Sequence, residues 1–137
     1  MRAKLFACFV TAVSLLLAAV PALPHHAFAA EYDAKKPLKM TGVVTKVEWQ
    51  NPHTWFYIDV KDEAGTVTNW GMEMGSPNLL IRAGWNRSSL KIGDVVTVEG
   101  FRSKDGSSNG HAQIVTLTNT GERLFAASSQ GQPVQNR

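Results

Sequence analysis

His53-Thr54-Trp55-Phe56-Tyr57-Ile58-Asp59-Val60 alternates along its length, with Phe56, Ile58 and Val60 on one face and His53, Trp55, Tyr57 and Asp59 on the other. Successive side chains of an extended chain point to opposite faces, so this period predicts a strand with one buried side. The turn residues Asp62-Glu63-Ala64-Gly65 follow, and then Val67 to Met74, where Trp70, Met72 and Met74 repeat the pattern. The two runs predict a hairpin. In it, Asn69 and Glu73 take the parity that matches His53, Trp55 and Tyr57. Upstream, Leu38 and Met40 share one parity, whereas after Gly42 the apolar positions become Val43, Val47 and Trp49. A glycine at such a change predicts a bulge, and Asn51-Pro52 then turns the chain into the alternating run.

Downstream, Ser76-Pro77-Asn78 sets a capping hydroxyl before a proline suited to the first helical position, with Leu79, Leu80 and Ile81 following and Gly84 as the stop. One short helix is expected. Lys91-Ile92-Gly93-Asp94 turns into a strand over 95–101, and a polar loop over 103–110 leads to a last strand over 112–118. Five strands, a bulged first strand and a helix between the third and fourth follow the order of a small Greek-key barrel of the OB type. The expected organisation is a leader over 1–22, a segment over 23–37 that packs on the barrel through Phe28 and Tyr32, the barrel over 38–125, and a polar tail over 126–137 with too little to bury to fold.

The leader reading rests on Arg2 and Lys4, the apolar run from Leu5 to Val20, and Pro21-Ala22-Leu23-Pro24. This is the pattern of an export signal. The run is shorter than the roughly 20 apolar residues that a membrane span needs, so a periplasmic or secreted protein is expected rather than an integral membrane protein. The cut falls anywhere from residue 22 to residue 29. Arg2 and Lys4 are two of the fourteen Lys/Arg, which leaves twelve against eleven Asp/Glu after processing. A net charge near +1 with scattered cations does not make the basic stripe that nucleic acid requires. Cys8, the single cysteine, leaves with the leader, so neither a disulfide nor a thiolate ligand is expected in the processed chain.

Four histidines then stand as the transition-metal ligands: the pair His25 and His26, His53, and His111. A site of His25, His26 and His53 would suit copper or zinc. Cutting after Ala22 gives Leu23-Pro24-His25, which has the third-position histidine of amino-terminal copper motifs. That motif also needs a deprotonated amide from the second residue, and Pro24 has no N–H. Cutting after Ala29 removes the pair altogether. The second constellation is a ligand face of Trp55, Tyr57, Asn69 and Glu73 on the second and third strands, where OB barrels hold ligands by aromatic stacking. Outside the cytoplasm its partner would be a small ligand or an envelope protein. No nucleophile elbow, phosphate loop or zinc-protease helix is present, and an enzyme is not expected.

Several segments carry a resemblance as a set: His25-His26-Ala27-Phe28, Gly42-Val43-Val44, the run Glu48-Trp49-Gln50-Asn51-Pro52-His53, Gly75-Ser76-Pro77-Asn78, Gly84-Trp85, and residues 93–100 from Gly93-Asp94 to Glu99-Gly100. Together they resemble a family of small exported bacterial proteins known as a domain of unknown function. The resemblance spans nearly the whole chain beyond the leader and implies the fold and the address rather than an activity. In that family an alanine usually precedes the histidine pair, whereas Pro24 stands here, so the resemblance implies ligation by imidazole rings rather than by a terminal amine. The expected function is an exported binding module, with a metal-free interaction or scaffold module as the alternative.

Overall fold

The computed structural model describes residues 27–128. The leader, His25, His26 and the tail beyond residue 128 lie outside the described residues. In chain order the elements are α1 (Ala27–Glu31), β1 (Tyr32–Glu48), β2 (Trp55–Lys61), β3 (Val67–Glu73), α2 (Pro77–Arg82), β4 (Val95–Ser103), β5 (Asn109–Leu117) and β6 (Arg123–Phe125). The fold is mainly β, with six strands in the sheet order β3-β2-β1-β4-β5-β6. All neighbours in that order pair antiparallel, and β3 also pairs with β5 in parallel, Glu73 opposite His111.

The alternating faces of β2 and β3 arise as the period requires. Phe56, Ile58, Met72 and Met74 are fully buried, while Val60 and Trp70 pack at the core margin. The bulge lies elsewhere than expected. Gly42 keeps register opposite Val96, and the shift between β1 and β2 falls between Val44 and Lys46. Leu38, Gly42 and Val44 therefore share the core side, and Val43 faces out, 42% exposed. The glycine answers a close approach instead: a Cβ on Gly42 would lie 2.7 Å from the Asp59 carbonyl oxygen.

Helix α2 begins at Pro77 as expected, with Ser76 Oγ accepting from the Leu79 amide at 3.3 Å. It buries Leu80 against the core, and the Trp85 indole N–H donates to the Phe125 carbonyl at 2.8 Å, tying the segment after α2 to β6. Three extents differ from the sequence reading. The first strand starts at Tyr32 rather than Leu38, because residues 32 and 33 pair with Ser103 and Arg102 at the end of β4. A sixth strand, β6, pairs with β5, and Ala126 and Ala127 beyond it are buried, so the packed chain runs past residue 125. Helix α1 was unannounced by periodicity; its five residues are held by packing.

Candidate functional site

Trp55 and Glu73 are direct partners across β2 and β3, as are Tyr57 and Gly71, and Asp59 and Asn69. These residues alternate with the core positions and so occupy the outer face of the hairpin. His111 joins that face through the parallel β3–β5 pairing. Its own position on β5 depends on a register shift at Gly100, where a Cβ would collide with the His111 carbonyl oxygen. Helix α1 and the start of β1 cover this part of the outer face. The Phe28 ring lies 5.0 Å from the His111 ring and 5.9 Å from Phe101, and Tyr32 lies 5.3 Å from His111. The Lys104 ammonium donates to the Ala29 carbonyl and helps hold the segment down.

Under this cover Glu73 is 5% exposed and organises the site. Its Oε2 accepts a hydrogen bond from the Tyr32 hydroxyl at 2.5 Å. Its Oε1 lies 2.8 Å from His53 Nδ1 and 3.8 Å from His111 Nδ1, the second distance being within ion-pair range and beyond a hydrogen bond. Burial works to raise the Glu73 carboxyl, but the neighbouring His111, the Tyr32 hydroxyl and His53 together outweigh it and hold the group below the usual glutamate range. Burial, reinforced by the Glu73 carboxylate, pushes the Tyr32 hydroxyl far above the ordinary tyrosine value. His111 is fully buried, and neither ring nitrogen has a hydrogen-bond partner among the described residues. His53 is about one-third exposed, so the cluster runs from a sealed imidazole through a carboxylate to a ring that meets solvent.

The structure thus brings together His53, Glu73 and His111, each named from the sequence, and adds the Tyr32 hydroxyl. Asn69 lies at the far end of the hairpin, donating to Asp59 at 2.7 Å and to Thr45 at 3.1 Å. Trp55 and Tyr57 stack 6.5 Å apart, and the Tyr57 hydroxyl donates to Glu48 at 3.1 Å. A cleft of about 560 Å³, lined by Tyr32, Trp55, Lys104, Asp105 and Asn109, opens beside Glu73. Among the described residues no group of three or more His, Cys, Asp and Glu is arranged to hold a metal ion. Any complete coordination shell here needs a donor from outside them.

Residues 12–113 match a family model described as a family of unknown function, DUF6152. The chain belongs to that family. The matched span contains His53, Glu73 and His111, together with β1 to β4, α2 and the first half of β5, and it ends before β6. No curated protein matches the chain. Among the described residues no helix is long and apolar enough to cross a membrane.

The sequence signal for His111 was weak because a lone histidine in a strand has no partner at helical or hairpin spacing. Its partner, Glu73, reaches it through a parallel pairing between segments 38 residues apart. Tyr32 was legible only as an apolar contact; its hydroxyl had no visible acceptor until β1 was laid over β3.

Proposed function

We propose that this family member is an exported module, built on a five-stranded barrel of the OB type, which binds a transition-metal ion, copper or zinc, at the Glu73 cluster. The barrel reading is supported by the pairings, which run from β1 through β2, β3, β5 and β4 and return to β1. The metal reading is carried by His111, a sealed imidazole with both nitrogens unpartnered beside a carboxylate. Leaving such a group unmade is costly in a protein interior, and an imidazole lone pair next to an anionic oxygen is a borderline-metal donor set. The histidine pair at positions 25 and 26 stands two to three residues before Phe28, whose ring rests on His111. His25 and His26 would complete a shell begun by His53 and His111, with Glu73 as ligand or as the acceptor that orients an imidazole. We read a binding role rather than catalysis because both Glu73 oxygens are engaged within the protein.

The test begins with the N-terminal residue of the exported protein, since a start beyond His26 removes the pair. Calorimetry with Cu²⁺ and Zn²⁺ on the processed chain should then show one ion per molecule, and His53→Ala and His111→Gln should each weaken binding at least tenfold. Binding should also weaken as the solution is acidified, because protons compete with the metal for the ligand nitrogens. Unchanged affinity in both folded variants would overturn the site.

A second reading is favoured by the Trp55–Tyr57 pair, which is stacked and half-buried on the same outer face. It is a metal-free module that docks an envelope protein there. In that case Trp55→Ala abolishes partner capture while metal has no effect. Nucleic acid is disfavoured on this face, because Asp59, Glu48 and Glu73 would repel phosphates.

A further inference from the structure

The loop after β1, the first turn of α2 and the segment following that helix enclose a second cleft, of about 710 Å³, which shares no lining residue with the Glu73 cluster. Its floor includes Trp49 and Ile81, the latter 56% exposed although it belongs to the helix that seals the core. Gln50, Asn51 and Asn78, all exposed and each bearing a side-chain amide, also line it. Those three amides are not committed to hydrogen bonds with other described residues. Among the described residues Arg87 is the one charged residue lining the cleft, and no carboxylate lines it.

How Arg87 is held matters. Its guanidinium lies 5.9 Å from the Trp49 ring centre, over the aromatic face, and no salt bridge to a described acid restrains it. A guanidinium above an aromatic ring and without a carboxylate partner among the described residues leaves N–H donors for the fork that matches a carboxylate. The amides differ in what they recognise. Each offers donors and an acceptor together, as a hydroxyl does, so a set of three suits a ligand bearing several hydroxyl groups. An aromatic and aliphatic floor receives the C–H face of such a ligand.

From this combination we propose that the cleft binds a carboxylate-bearing saccharide of the uronic-acid type. Arg87 takes the carboxylate, Gln50, Asn51 and Asn78 take ring hydroxyls, and Trp49 with Ile81 packs against the sugar ring. The site is distinct from the metal reading, since its lining includes none of Glu73, His53 and His111.

The test is an amide and indole NMR titration of the full processed protein with glucuronate oligosaccharides, alongside glucose oligomers and acetate as separate probes. Saturable shifts are expected at the Trp49 indole, Gln50, Asn51, Asn78 and Arg87 with the acidic sugar. Binding should be at least tenfold weaker with the neutral sugar and with acetate. Arg87→Gln and Arg87→Lys should both lose at least tenfold in affinity, the second because a lysine cannot present the fork. Arg87 is exposed, so both variants should fold, as an unchanged spectrum outside the cleft will show. No shifts at these residues, equal binding of glucose oligomers, equal binding of acetate, or undiminished affinity in Arg87→Gln would each overturn the proposal.

Discussion

Glu73 shows what a single side chain does when a fold closes around it. Its Oε2 accepts from the Tyr32 hydroxyl, while its Oε1 faces His53 at 2.8 Å and His111 at 3.8 Å. Tyr32→Phe removes only the hydroxyl from a buried, charge-assisted hydrogen bond, and should lower stability by about 1.5–3 kcal/mol in urea unfolding. The pH dependence follows from the sign of the shifts. The Glu73 carboxyl lies lower in the folded chain than in the unfolded one, so its contribution is present above the ordinary glutamate value of about 4.3 and is lost as pH falls through the lower folded value. The Tyr32 hydroxyl is raised, so its contribution is present below about pH 10 and is lost as pH climbs through the folded value. Stability measured against pH should therefore decline on both sides of a plateau, and Glu73→Gln should flatten the acid limb and, because the Glu73 carboxylate also raises Tyr32, soften the alkaline one. An acid limb of unchanged steepness in that variant would show that Glu73 does not carry it.

Among the elements, β5 depends most on a detail of its neighbour. The register shift at Gly100 seats His111 opposite Glu73 and beneath Phe28, and there is no room for a side chain between β4 and the His111 carbonyl. Gly100→Ala should cost about 1–3 kcal/mol through overpacking, and it should displace His111 as well. An NMR spectrum in which the His111 ring resonances stay fixed would refute the link between that glycine and the site. Helix α2 was legible from Ser76 and Pro77 because capping is a local interaction. The bulge was misplaced at Gly42 for a related reason. Parity read from apolar letters counts Val43 as inward, but β1 is a shared strand whose two edges pair with β2 and β4, and the register between them decides which valine is buried.

For the molecule as a whole, the sealing of the outer face is a tertiary event. Helix α1 has five residues, too few to be stable alone, and it exists because Phe28 and Tyr32 find Phe101, His111 and Glu73 beneath them. Phe28→Ala should open that cover. His111 is fully buried and should resist diethylpyrocarbonate in the native chain but become modified in the variant, as peptide mass spectrometry will read. Equal protection in both would mean that Phe28 is not the lid. His53 is partly exposed in either case and serves as the internal control.

What the letters alone decided are the features whose physics is local: alternation in β2 and β3, the cap of α2, and the cross-strand face of Trp55, Tyr57, Asn69 and Glu73. Each rests on residues within a turn or one hairpin of one another. What the three-dimensional structure decided is which distant groups meet. The parallel contact of β3 with β5 and the overlay of Tyr32 on Glu73 join segments whose separation leaves no periodic trace, whereas the sixth strand pairs locally with β5 and, at three residues, is too short to show a period. Burial and charge at Glu73 come from those meetings, since desolvation and ion pairing depend on what closes over a side chain rather than on what precedes it in the chain.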